Sequence, residues 1–273
     1  MRPLHYLPLL GMTAALLAAP AAHAQAPVPQ VEVWSLEKTA ALGSAIYVQD
    51  FAAARATDAL MAHLDNKTPE GLVGWIVVPQ GEQNLVRFLT GDMSAPAAAY
   101  DILVDARGRA GTVNPAADPV LPPEQLAQFA ARMTAAASFT PTDLRCAARY
   151  NAVVLDDPDS DGWLVWLLAS TTKPDVIPMG GHYRFHISAD GKTLLKREML
   201  SAACLDLSRN LPAEARSVGL VTSIVVAPQP LEIHVFQSLN ARMPLYAIAD
   251  GRIWSVQGAR ITDAGPAPAP RSR

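Results

Sequence analysis

The sequence predicts an α+β protein built mainly from antiparallel sheets. Helix-like spacing of apolar residues is confined to two long stretches, whereas most of the remaining chain alternates apolar and polar residues with a period of two. Short turns that contain glycine join several of the alternating segments, which is typical of antiparallel hairpins. We expect the two main helices to pack on one face of these sheets.

The two main helices are predicted over residues 36–64 and 123–137. The first is rich in alanine and leucine, and we expect an interruption near Gly43. The second begins with a proline, whose missing N–H does no harm at a helix start. A further short helix is predicted over 212–216.

Strand patterns fall into three blocks, preceded by a short strand-like piece. The predicted segments are 31–35; 71–78, 84–90, 100–106 and 109–113; 147–155, 163–169, 182–189 and 193–200; and 219–226, 231–238, 245–248 and 252–256. Asp-Gly pairs at 190–191 and 250–251 join the last two strands of the second and third blocks. The blocks open and close with similar residues, so a repeat of helix plus four strands is one interpretation. Chance similarity between meanders of like composition is the other.

The domain organisation follows from these shifts in pattern and from the proline- and alanine-rich ends of the chain. We expect a signal peptide over 1–24, a flexible spacer over 25–30, an N-terminal α+β unit over 31–140, a C-terminal mostly β unit over 141–260 and a disordered tail over 261–273.

The first 24 residues have the three parts of a Sec-type signal peptide. A short basic start with Arg2 precedes an apolar run over 6–17, and the small residues that follow end in an A-x-A signal at Ala24. Later apolar runs are too short to span a membrane. The alanine-rich leader and the preference for arginine are typical of a high-GC bacterium. We therefore expect cleavage after Ala24 and a soluble periplasmic or secreted product.

The charge balance restricts the partners. Cleavage would leave 21 basic and 25 acidic residues, a net charge of −4 without a basic cluster. Nucleic acids and anionic membranes need a concentrated lysine and arginine surface, so both are excluded. A protein or a small molecule in the cell envelope is the expected partner.

The chain has two cysteines, Cys146 and Cys204. In an oxidising compartment such a pair predicts one disulfide, which would stabilise the fold by about 4 kcal/mol on the chain-entropy model. A redox-active pair is the alternative, but the C-x-x-C spacing that lowers a thiol pKa is absent from the sequence.

Three aspartates at alternate positions, Asp157, Asp159 and Asp161, match the opening of a calcium-binding loop. The twelfth position is Leu168, where an EF-hand has a glutamate, and the flanking residues have strand patterns. A calcium site in a hairpin loop and a solvated acidic turn are therefore the two interpretations.

A second group of polar residues lies on predicted strands. His182, Arg184 and His186 alternate and so share one face, while Glu232 and His234 share a face of another strand. Adjacent strands could bring His182, His186, His234 and Glu232 together as zinc ligands. Because residues four apart in a strand are separated by about 13 Å, exposed polar residues on a sheet face are the favoured interpretation.

Two stretches carry a resemblance to known proteins. Residues 180–200 (GGHYRFHISADGKTLLKREML) and 232–256 (EIHVFQSLNARMPLYAIADGRIWSV) resemble exported proteobacterial proteins of unassigned function. The resemblance covers roughly the last third of the chain. It implies export and the two hairpins, and it implies no activity.

Catalytic and cofactor motifs such as G-x-S-x-G, H-E-x-x-H and the phosphate-binding glycine loops are absent from the sequence. We therefore expect a non-catalytic binding or envelope-associated protein without a cofactor. One alternative is a cell-envelope hydrolase with a site assembled from distant residues such as His182, His186 and Glu232. The other is an envelope protein stabilised by calcium.

Overall fold

The computed structural model describes residues 30–208 and 219–268. Over these residues the chain forms three helices and 14 strands, which confirms the α+β class. The signal peptide predicted over 1–24 and the short helix predicted over 212–216 lie outside the described residues. The helices are α1 (Leu36–His63), α2 (Pro123–Ala137) and α3 (Glu232–Ala241).

The strands form three four-stranded sheets and one small pair. In chain order they are β1 (Leu72–Gln80), β2 (Gln83–Asp92), β3 (Ala95–Asp105), β4 (Asn114–Pro115), β5 (Arg149–Asp156), β6 (Trp163–Ser170), β7 (Val176–Pro178), β8 (Tyr183–Ile187), β9 (Leu194–Met199), β10 (Asp206–Ser208), β11 (Leu220–Ser223), β12 (Leu245–Ala249), β13 (Arg252–Gln257) and β14 (Arg260–Pro266). The sheet orders are β1-β2-β3-β4, β5-β6-β8-β9 and β11-β12-β13-β14, and β7 pairs with β10. Pairing is antiparallel except between β11 and β12.

Each predicted block of strands thus gives one sheet. The third differs in topology, because α3 connects the parallel strands β11 and β12. A helix in this position is the usual connection between parallel neighbours. The internal repeat stays a hypothesis.

Helix α1 connects two parts of the core. At 28 residues it is about 42 Å long. Its first half buries Leu42 and Ile46 in a cluster with α3 and the second sheet, and its second half buries Ala56 and Leu60 against the first sheet. The helix also continues through Gly43, so the predicted interruption is wrong. A Cβ atom at Gly43 would lie 2.5 Å from the carbonyl oxygen of Glu232. This glycine therefore permits close packing of α1 on α3.

Helix α3 replaces the strand predicted over 231–238. Residues Glu232–Ser238 are all buried, so no exposed polar face imposes the helical period on the sequence. The Nδ1 atom of His234 accepts a hydrogen bond from the backbone N–H of Leu231 at 3.0 Å, which caps the first turn. The helix ends at Ala241, and Arg242, the residue that follows, adopts a left-handed conformation with φ of 56°.

Several predicted boundaries also move. The piece at 31–35 belongs to no sheet, and 109–113 contributes only an isolated bridge to the first sheet. The disordered tail predicted over 261–273 is wrong over its first part, because β14 pairs with β13 and Ile261 packs against the main core.

The predicted disulfide and one predicted hairpin turn are confirmed. Cys146 and Cys204 are bonded, with Cα atoms 5.2 Å apart. Asp250 and Gly251 join β12 to β13, with φ of 46° and 70°. Positive φ at both central residues is the requirement of a type I′ turn, which glycine meets without strain.

The helices of the predicted unit 31–140 bury surface against the predicted unit 141–260. Helix α2 packs on β5, β6 and β8, and α1 packs on α3. Among the described helices, none combines the length and apolar character needed to cross a lipid bilayer.

Candidate functional site

The segment 31–35, which we name the strap, contacts the second sheet through side chains of β8 and β9. The backbone N–H of Glu32 donates to Glu198 Oε1 at 2.6 Å, and its carbonyl oxygen accepts from Arg184 Nη2 at 2.7 Å. The N–H of Val31 donates to the carbonyl of Val226 at 3.0 Å. The strap is thus held by residues that are distant in sequence.

Arg184, on β8, is the centre of a buried ionic network. Its side chain is 0 % exposed, and its Nε donates to Glu198 Oε2 at 2.8 Å. Its Nη1 donates to both oxygens of Glu232 at 3.0 and 3.1 Å, and Trp166 Nε1 donates to Glu232 at 2.9 Å. The ring of Trp34 covers the guanidinium at 4.0 Å. Planar geometry and five donors suit arginine to such a buried position.

The outer part of this network contains His186, Lys196 and the two carboxylates that they contact. Lys196 Nζ lies 2.8 Å from Glu32 Oε2 and 3.0 Å from Glu198 Oε1. The hydrogen bond from Lys196 lowers the pKa of Glu32. Burial alone would raise the pKa of Glu198, but His186, Arg184 and Lys196 together hold it well below its usual range. Both carboxylates are therefore ionised at neutral pH.

His186 brings a ring nitrogen to the same two carboxylates. Its Nε2 lies 3.5 Å from Glu198 Oε2 and 3.8 Å from Glu32 Oε2. This nitrogen is excluded from solvent and makes no hydrogen bond to the described part of the chain. Across residues 30–208 and 219–268, the only trio of His, Cys, Asp or Glu with ligand atoms within 4.8 Å of one another is Glu32, His186 and Glu198. We name it the acid–histidine trio.

The predicted calcium ligands have a different arrangement. Asp157 Oδ1 accepts from the backbone N–H of Asp159 at 3.0 Å, and Asp157 Oδ2 accepts from the hydroxyl of Ser160 at 2.9 Å. Asp159 forms an ion pair with Lys38. Asp157, Asp159 and Asp161 do not form a ligand trio like the one above. Their contacts are those of an acidic turn that hydrogen-bonds its own backbone.

The predicted exposed polar face is wrong, because His182, Glu232 and His234 are all buried. Glu232 and His234 belong to helix α3. The strap contacts β8, the strand that follows His182, through Arg184. His182 Nδ1 accepts from the N–H of Ala169 at 3.0 Å, so its protonated Nε2 donates to the carbonyl of Pro178 at 3.1 Å. Burial lowers the pKa of His182 and of His234 to about 4. The four proposed zinc ligands do not meet, and of them only His186 belongs to the trio.

A second site, which the sequence did not reveal, is a cleft of about 170 Å³ between α1, α3 and the ends of β6 and β7. We name it the polar cleft. Its polar lining residues include Asp50, Asn151, His182, Gln237 and Asn240. A neighbouring cleft of about 270 Å³ shares Asp50 and Asn151. Asp50 therefore borders two adjoining spaces.

Among the described residues, two acceptors in the polar cleft are incompletely compensated: Asp50 has no ion-pair partner, and Gln237 Oε1 has no donor. Burial raises the pKa of Asp50 to about 6, and within the described residues its hydrogen-bond partner is the Asn151 amide at 3.2 Å. Gln237 is 2 % exposed and its Nε2 donates to the carbonyl of Pro178 at 3.1 Å, whereas its Oε1 is buried and has no partner within the described part of the chain. His182 Nε2 lies 3.2 Å from Gln237 Nε2, but both are donors. A buried acceptor left without a donor costs about 1–3 kcal/mol.

Asp50→Asn is expected to stabilise the protein at pH 7.5 by up to about 3 kcal/mol, the value of a pKa difference of about two units. Between pH 3.8 and about 6 the folded state holds one proton more than the unfolded state, so the free energy of unfolding of the wild type falls as pH rises. The stabilisation by Asp50→Asn should therefore appear at pH 7.5 and be small at pH 4. Urea unfolding at the two values measures it; an equal effect at both would contradict the buried charge.

A sequence signal for this site exists in retrospect. Asp50 lies in the apolar stretch AIYVQDFAAA, and Gln237 lies between buried residues of α3. Isolated polar side chains in buried surroundings are informative, but the sequence does not show that the two face one space.

Comparison with known protein families and with curated proteins gives no match. The functional interpretation accordingly depends on the geometry of the two sites.

Proposed function

We propose that this chain is an exported, non-catalytic binding protein of the cell envelope, and that its ligand is a small molecule with a protonated amino group held in the polar cleft. The observation that carries the proposal is the buried Oε1 of Gln237, an acceptor to which no described residue donates, in the same cleft as the Asp50 carboxylate. The signal-like N-terminus, the disulfide and the resemblance to exported proteins support the compartment.

An ammonium group complements these acceptors. It offers three donors and one positive charge, whereas Asp50 offers a carboxylate and Gln237 a carbonyl oxygen. At neutral pH the Asp50 carboxyl is ionised, since its pKa of about 6 lies below that value. The ligand would supply both the missing charge and the missing donor, and each such charge-assisted hydrogen bond contributes about 1.5–3 kcal/mol.

The hydrolase alternative loses two of its three candidate residues, His182 and Glu232. Both ring nitrogens of His182 are engaged with backbone groups, so this residue has no free position for general base catalysis. Glu232 is fixed by Arg184 and Trp166 in the core. Buried hydrogen-bonded groups of this kind fit a structural role.

The test compares amines with alcohols of the same shape. We expect n-butylamine to raise the melting temperature and to show saturation transfer in NMR, with a Kd on the order of 1 mM, and n-butanol to do neither. Asp50→Asn and Gln237→Leu should each weaken amine binding by about 10- to 100-fold. Glu37→Gln removes an exposed carboxylate of the same helix and should leave binding unchanged. Equal effects of the amine and the alcohol, or amine binding that survives both cleft substitutions, would refute the proposal.

A further inference from the structure

The acid–histidine trio of Glu32, His186 and Glu198 lies apart from the polar cleft. We propose that the trio binds a divalent transition-metal cation of the zinc class, which enters by displacing the Lys196 ammonium. The proposal is independent of the amine-binding function, because the two sites share no lining residue.

The spacing of the ligand atoms is close to what such a cation requires. Nitrogen and oxygen ligands at their usual distances from tetrahedral zinc lie about 3.4 Å from one another. His186 Nε2 is 3.5 Å from Glu198 Oε2 and 3.8 Å from Glu32 Oε2. Small side-chain movements would bring all three atoms to bonding distance. One imidazole and two carboxylates form a donor set that favours zinc over calcium, which prefers oxygen ligands alone.

The state of His186 also points to a cation. Its Nδ1 faces Asp157 Oδ2 at 3.9 Å, which is too far for a hydrogen bond. Its Nε2 faces Glu32 and Glu198 and, among the described residues, is buried without a hydrogen-bond partner. A metal cation between the three groups would give this nitrogen and both carboxylates a common partner. An outer carboxylate on the distal ring nitrogen is the arrangement that orients metal-bound histidines.

Lys196 already demonstrates that this position holds positive charge. Its ammonium bridges Glu32 and Glu198, and its side chain is 45 % exposed, so the lysine can move into solvent without crossing the core. Arg184 would remain in place because Glu232 also binds it. The network has four carboxylates and two cations, a net formal charge of −2 with His186 neutral, and exchange of lysine for a divalent ion reduces it to −1. Its charged members are Glu32, Asp157, Arg184, Lys196, Glu198 and Glu232.

The experiment is calorimetric titration of Zn²⁺ into the full chain without a polyhistidine tag. We expect one strong site per chain, no response to Ca²⁺, and a rise in melting temperature with Zn²⁺. His186→Ala should weaken binding by at least about 100-fold, since loss of an outer-shell partner alone costs 10–100-fold. His63→Ala, at an exposed histidine of α1, should leave it unchanged.

Lys196→Met provides a readout that misfolding cannot imitate, because removal of the competing ammonium should tighten Zn²⁺ binding by about 10-fold or more. His186→Gln keeps a side chain of similar size and should lose the site while retaining the wild-type circular dichroism. Asp50→Asn should not alter Zn²⁺ binding, which separates this site from the amine-binding cleft. Wild-type affinity in His186→Ala, or unchanged affinity in Lys196→Met, would overturn the proposal and identify the trio as an ion-pair network alone.

Discussion

Replacement of Arg184 by methionine is expected to lower the free energy of unfolding by about 3–5 kcal/mol. The guanidinium is fully buried and holds the carboxylates of Glu198 and Glu232, of which the latter is 0 % exposed. Methionine fills a similar volume but leaves a charge in the core without its cation. Because the Arg184 side chain also binds the Glu32 carbonyl and stacks on Trp34, the strap should loosen as well.

Two further variants make this prediction specific. Arg184→Met combined with Glu232→Gln should be more stable than Arg184→Met alone, because the uncompensated charge is removed. Arg87→Met serves as the control: Arg87 is also buried and paired, but its partner Asp101 is 20 % exposed and can regain water. The free energy of unfolding should therefore fall less in Arg87→Met than in Arg184→Met. Urea unfolding with the disulfide intact measures all three variants, and a loss below 1 kcal/mol for Arg184→Met would contradict the assigned role.

Acidification from pH 6.5 to pH 4 is expected to destabilise the protein through His182 and His234, by up to about 3 kcal/mol for each residue. Burial lowers both pKa values from 6.5 to about 4. The unfolded state therefore takes up protons first as pH falls, and the stability present above pH 6.5 is lost towards pH 4. The two rings also oppose each other's protonation, since His182 lowers the pKa of His234.

The measurement is urea unfolding at pH 7.5, 5.5 and 4.5 in an Asp50→Asn background, which removes the opposite pH dependence of that carboxyl. His182→Asn keeps an acceptor for the Ala169 N–H, and His234→Gln keeps an acceptor for the Leu231 N–H. Each variant should reduce the decrease in the free energy of unfolding between pH 7.5 and pH 4.5, whereas His63→Gln at an exposed position should not. An unchanged pH profile in both core variants would show that other groups cause the loss.

Local patterns predicted most of the secondary structure. Alternating segments became strands, and the Asp250-Gly251 pair became the expected turn because its conformational requirement is local. Helix α3 was missed for a physical reason. It is enclosed by α1, the second sheet and the third sheet, so burial on every side left only the accidental alternation of residues 232–238 to be interpreted as a strand.

The candidate sites were predicted only in part. The sequence correctly suggested that Arg184 and His186 share a face of one strand, and both contact Glu198. It could not show that this face is covered, because the covering groups come from the strap and from α3. The contact between Glu32 and Glu198 joins residues 166 positions apart, and no local periodicity records such a pairing.

The strap also has a consequence for the order in which the protein is assembled. Ribosomes make the N-terminus first, yet Glu32 meets Arg184 and Glu198, and the carbonyl of Trp34 meets Gln229, 195 residues later. The strap therefore cannot form these contacts until nearly the whole chain has been synthesised. Contacts of such long range slow folding and prolong the time during which incompletely folded chains expose apolar surface. Closure of the strap would mark the end of assembly, and Trp34, which contacts the Arg184 guanidinium only then, is a natural fluorescent reporter of that last step.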